Sequence, residues 1–105
     1  GSDHRPSAIF ASNDDMAAAT LAVAHRRGLA VPEELSIVGF DDSVLATTVW
    51  PTLTTVRAPT RAITRTAFDL ILQALNSGGK PAEPAFRVSL PFELVDRESV
   101  AALDI

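Results

Sequence analysis

Cysteine is absent from all 105 residues. That excludes disulfides, thiolate nucleophiles and cysteine-based metal sites, and it accords with a cytoplasmic protein. No run of basic residues occurs; the longest cluster is Arg26-Arg27, and the formal net charge is -4. An acidic chain without a basic stripe does not bind nucleic acid by simple electrostatics. No apolar stretch approaches the ~20 residues that cross a bilayer, so no membrane partner is expected. No secretion signal opens the chain. Glycine-rich phosphate loops and dinucleotide fingerprints are missing too.

What is present is a normal globular balance, with 47% hydrophobic and 21% charged residues. This composition argues against disorder and suffices for one small domain. Ser7 to Ala11 (SAIFA) is short and apolar, as a buried strand is. Ser12-Asn13-Asp14-Asp15 follows, and small polar side chains of this kind accept from the free N–H groups of a helix start. A helix is expected from about Asp14 to Arg27, rich in alanine at 17, 18, 19, 22 and 24. Arg26 and Arg27 suit its negative end, and Gly28 suits the left-handed position beyond it.

After a turn at Val31-Pro32-Glu33-Glu34, Leu35 to Phe40 (LSIVGF) reads as a second strand. Its apolarity is continuous, not alternating, which implies cover on both faces, as in a parallel sheet. Strand, helix, strand is the βαβ unit, so the fold class is α/β with a parallel sheet. Asp41-Asp42-Ser43 comes next, then a loop with Thr47, Thr48, Trp50 and Pro51. Leu53 to Val56 is expected as a third strand. Pro59 fits the first turn of a long helix reaching Asn76, with apolar positions Ile63, Ala67, Leu70, Ile71, Ala74 and Leu75 on one face. Phe86 to Leu90 and Phe92 to Val95 read as short strands split by Pro91, and the tail beyond Arg97 carries no signal.

In an open parallel α/β sheet, ligands bind beyond the C-terminal strand ends. Two polar clusters fall there: Ser12 to Asp15 after the first strand, and Asp41 to Ser43 after the second. An amide both donates and accepts, and a carboxylate accepts from hydroxyls, so together they suit a hydroxyl-rich ligand. Each residue also has a plainer reading. Asn13 can simply cap the helix, and Asp41 can simply close a turn. Asp14, Asp15, Asp41 and Asp42 could instead hold Mg²⁺, which prefers oxygen ligands. A phosphoacceptor site lacks its lysine at a later strand end, since the only lysine is Lys80, in a Gly-Pro loop. His4 and His25 sit near no serine elbow, so hydrolase chemistry has little support, and neither a cofactor nor catalysis is expected. Trp50 can stack on a sugar, anchor an interface or pack on the sheet.

Four segments together resemble the lactose-repressor (LacI/GalR) family of transcription regulators. They are AIFASNDDMA (Ala8 to Ala17), RGLAVPEELSIVGFDDS (Arg27 to Ser43), PTLTTVRAP (Pro51 to Pro59) and LPFELVDRES (Leu90 to Ser99). They stand in family order and cover nearly the whole chain. The resemblance implies a partial periplasmic-binding-protein-like fold, mainly the second lobe of the effector-binding core plus a crossover helix from Pro59. It also implies that the helix-turn-helix domain, the hinge helix and most of the first lobe are not in this chain. DNA would be bound only through that missing domain, and a small-molecule effector, a sugar, would bind between the lobes. By the same resemblance, Asn13 matches the amide of the family's "ND" motif, Asp14 its acid, and Asp41 the acid of "G-aromatic-D". These three are the candidate effector contacts, with Trp50 as a candidate cleft or interface residue. Ala58 stands where many members carry glutamine, removing a polar contact from the cleft. A homodimer or higher self-association is expected, because a fragment exposes surfaces that the sheet and long helix need covered. A sugar-binding protein of a transport system shares this fold and is the alternative.

Overall fold

The computed structural model describes residues 5–78 and 88–103. The first strand, β1, spans Ala8–Phe10. Helix α1 covers Asp14–Arg26, as its caps predict. Asp14 and Asp15 lie in its first turn, His25 and Arg26 in its last, and charges of this order complement the helix dipole. Gly28 follows at φ 73, the left-handed conformation that a side chain disfavours. The buried face of α1 is Asp14, Ala17, Leu21 and Ala24, at the three-and-four spacing of one helical stripe. Its small alanines let the helix lie close to the sheet.

Strand β2 is Ser36–Val38 and pairs with β1 in parallel, Ile9 opposite Ile37. This completes the expected βαβ unit. The strand is shorter than the expected Leu35 to Phe40, its pairing with β1 ending at Val38, and the backbone turns beyond Phe40, where Asp41 has φ 121 and Asp42 φ 59. The stretch expected as a loop contains a short helix, α2, over Val44–Thr48. The hydroxyls of Thr47 and Thr48 both donate to the Val44 carbonyl, and Ala46 is fully buried, so the turn winds around a small apolar contact.

Strand β3 runs Thr55–Arg57, two residues later than expected at its start. Val38 and Thr54 form a parallel bridge, and the Gly39 and Asp41 amides donate to the Thr54 and Val56 carbonyls at 2.9 Å. Strand β4, Glu93–Val95, pairs antiparallel to β3. Of the other strand expected near the end, Val88 to Leu90 has no regular structure, and Phe86 and Arg87 lie outside the described residues. The tail after Arg97 is not idle. Ser99 is fully buried; its hydroxyl donates to the Ile37 carbonyl and accepts from the Thr54 amide at 2.9 Å.

The chain divides into two units. The first, Gly1–Arg57 with Glu93–Ile105, holds the nine apolar residues that are buried among the described residues, from Ala11 to Leu53. The second, Ala58–Phe92, is built on helix α3, Thr60–Asn76. Pro59 is the residue just before this helix, not its first turn. It has no N–H to donate, while its carbonyl accepts from Ile63 at 2.8 Å. No residue of α3 is buried.

Candidate functional site

Parallel pairing carries β1 and β2 to the same edge, and their exits are bonded to each other. The Ala11 amide donates to the Val38 carbonyl at 2.8 Å, and the Asp14 amide to the Phe40 carbonyl at 2.9 Å. Asn13 and Asp41 are therefore neighbours by topology, as the strand-end rule requires.

Asn13 is the N-cap of α1. Its Oδ1 accepts the Met16 N–H at 2.8 Å, which fixes the side chain and leaves the amide NH₂ to donate elsewhere. Capping and ligand contact are thus compatible in this residue. Asp41 is exposed, and its carboxylate has no partner among the described residues, while its backbone N–H is held by Val56. A φ of 121 is rare for a residue with a Cβ and persists only where surroundings enforce it.

Asp14 differs from both. It is 1% exposed, and both carboxylate oxygens already serve the protein. Oδ1 accepts the Thr55 hydroxyl at 2.7 Å and Oδ2 accepts the Ser43 N–H at 2.6 Å. A single carboxylate joins α1, β3 and the start of α2. Gly39 makes room for it, since a Cβ there would collide with Asp14 Oδ1.

The neighbouring Asp42 is clamped from outside. Arg97 Nη2 donates to Oδ1 at 2.6 Å and Arg57 Nε to Oδ2 at 2.7 Å. Desolvation pushes the Asp42 carboxyl up, but the hydrogen bonds and charges of Arg97 and Arg57 outweigh it and hold the group below its ordinary value. The same bond to Asp42 raises the Arg57 guanidinium. With Asp14 and Asp42 so occupied, the four carboxylates do not gather around one point. No group of three or more metal-ligating side chains occurs among the described residues.

Trp50 does not join this edge. Its ring is 75% exposed and lies 6.2 Å from that of His25, tilted by 37°. His25 is in the last turn of α1 and Asn13 caps its first, so roughly 18 Å of helix separates the two ends. There Trp50 lines an open groove of about 370 Å³ with His25, Pro32, Glu33 and Pro51. Ala58 follows β3 directly and brings no polar group.

Sequence reasoning missed Thr55, Arg97 and Ser99. A polar residue inside the apolar LTTV run was the available signal for Thr55. Nothing local marks Arg97 or Ser99, whose partners lie 55 and 62 residues away.

The periplasmic binding protein-like domain family model matches residues 1–100. The chain is 34% identical over 102 residues to the HTH-type transcriptional repressor PurR of Vibrio cholerae, covering 96% of this chain and 29% of that protein. It thus spans under a third of the length of that curated relative. Among solved structures, a LacI family transcriptional regulator from Enterococcus faecalis with bound ribose superposes with TM-score 0.83 at 30% identity, covering 97% of this chain and 37% of the other. The lac repressor dimer bound to operator and the anti-inducer ONPF gives 0.79 at 31%, covering 92% and 32%. Among the described residues, no helix is long and apolar enough to cross a membrane.

Proposed function

This chain belongs to the periplasmic binding protein-like domain family, and on that premise we propose that it is the C-terminal part of the effector-sensing core of a LacI-type transcription regulator. Its effector is a hydroxyl-rich small molecule, a sugar. The observation that carries this is Asp41, an exposed carboxylate without a partner among the described residues, held at φ 121 beside the Asn13 cap. Asp41 accepts from ligand hydroxyls, and the Asn13 amide donates to a ligand oxygen. Asp14 belongs to the same cluster, its carboxylate bonded to Thr55 and Ser43. The ribose-bound regulator and the operator-bound repressor that it resembles favour this reading over an enzyme or a transport protein. In it, the effector shifts a homodimer whose helix-turn-helix domains, outside this chain, hold DNA. Trp50, far from the cleft edge, serves as a candidate contact between copies. The protein acts in the cytoplasm, where its operator is.

The test is thermal-shift screening of the longer regulator against D-ribose, other sugars and nucleobases. A sugar that raises the midpoint, and fails to do so in Asp41→Ala, supports the site, since a ligand stabilises only the state that binds it. An undiminished shift in Asp41→Ala removes Asp41 from the site. A response to nucleobases alone overturns the sugar. A secretion signal upstream in the parent gene, in place of a helix-turn-helix, would turn the reading to the transport protein.

A further inference from the structure

The turn that carries Asp41 is not self-supporting. Asp41 and Asp42 are consecutive residues at positive φ, where a Cβ crowds the backbone. Beneath them lies Thr55, fully buried. Its hydroxyl donates to Asp14 Oδ1 at 2.7 Å and accepts the Asp42 N–H at 3.4 Å. Asp14 in turn accepts the Ser43 N–H at 2.6 Å. One hydroxyl and one carboxylate therefore hold two successive amides of the turn from below. Threonine at a buried strand position commonly serves as a β-former with its hydroxyl turned to the nearest carbonyl. Here the hydroxyl spans α1 and the β2–α2 turn.

We propose that Thr55 is a positioning residue for the ligand-facing carboxylate of Asp41. By fixing the Asp42 amide and orienting Asp14 toward Ser43, it locks the backbone conformation that turns Asp41 outward. The functional meaning rests on the Asp41 reading above, but the turn geometry is measurable without any ligand.

Valine keeps the shape of Thr55 and loses both bonds, whereas serine keeps the hydroxyl. In the isotope-labelled chain, the three-bond HN–Hα coupling of Asp41 reports its φ. Amide exchange at Asp42 and Ser43 reports the two bonds, with Leu21 and Ile37 as core references. Thr55→Val is expected to change the Asp41 coupling and to speed exchange at Asp42 and Ser43 about fivefold or more relative to the references, as loss of buried hydrogen bonds does. Thr55→Ser should keep the coupling and the protection of both amides. Wild-type behaviour of Asp41, Asp42 and Ser43 in Thr55→Val overturns the proposal. So does a uniform rise that includes Leu21 and Ile37, because that is loss of stability and not of positioning. Should the valine variant fail to fold, Thr55→Ala replaces it, with selective loss of protection at Asp42 and Ser43 expected and a uniform or absent change overturning the idea. An Asp41→Ala variant that still responds to sugar removes the ligand reading and leaves these outcomes untouched, so the two fail separately.

Discussion

The two units of this chain use apolar residues in opposite ways. In the first, Ile37 and Leu53 are fully buried, with Ala17, Leu21 and Ala24 packed around them. In the second, Phe68, Ile71 and Leu75 are 60% or more exposed although α3 is strongly amphipathic. The pattern of α3 is that of a core-facing helix, yet none of its residues is buried, and Ile63, Ala67 and Leu70 line only an open hollow with Val88, Leu90 and Phe92. Amphipathic spacing thus says that a face is to be covered, and not by what. The first unit carries its own explanation, because its helix, sheet and tail cover one another.

Core truncation should divide the units most sharply. Leu53→Ala or Ile37→Ala is expected to cost about 2–5 kcal/mol in urea unfolding followed by far-UV circular dichroism, the usual range for a filled core site. Equal loss from Leu75→Ala would abolish the distinction. Gly39→Ala comes next, at roughly 1–3 kcal/mol, because the new methyl meets the Asp14 carboxylate. Combined with Asp14→Ala it should cost less than the sum of the two single changes, and strict additivity in a double-mutant cycle would show that the two do not touch. Gly28→Ala should cost about 1 kcal/mol from its positive φ alone, since nothing lies within 4 Å of the added carbon.

The acid-side effect is smaller. Asp42 has a depressed value in the folded state, so its contribution is whole above the ordinary carboxylate range. That contribution is lost as pH falls through the depressed value. Arg97→Gln should flatten the decline of the thermal midpoint on acidification, and an unchanged slope would show that the clamp contributes nothing. Least of all, Leu75→Ala in α3 should change stability by no more than about 0.5 kcal/mol, as exposed positions do. Its larger consequence should be in sedimentation: the exposed stripe predicts concentration-dependent self-association that Phe68→Glu reduces, and a monodisperse monomer of 11.1 kDa in the parent chain would remove that expectation.

Much of the first unit was legible because its signals are local. The cap at Asn13, the acids of the first turn, the alanines and Gly28 all lie within one helix, and they place α1 to within a residue. Continuous apolarity in SAIFA and LSIVGF was enough for the parallel pair. The candidate edge followed from topology alone, since consecutive parallel strands end on the same side. What local pattern could not reveal is which acid points where. Asp14, Asp41 and Asp42 read alike in sequence, yet one is buried on Thr55 and Ser43, one is exposed, and one lies between two arginines. Those fates depend on partners 15 to 55 residues away. The short α2 escaped for a different reason: threonine and valine favour strands, and the contact of Ala46 with the core overrides that preference.

Ser99 bears on when the fold can form. It ties Ile37 to Thr54 across 62 and 45 residues, and it lies near the end of the described chain. The central β2 therefore keeps an open bonding position until the segment around Ser99 has been made and has returned. Contacts of such long sequence separation are slow to form, because a large loop must close first. A nascent chain that has already emerged through α3 still cannot finish its first unit. Closure of the strand edge that carries Asn13 and Asp41 thus waits on the segment around Ser99, and a change there acts on that edge from far along the chain.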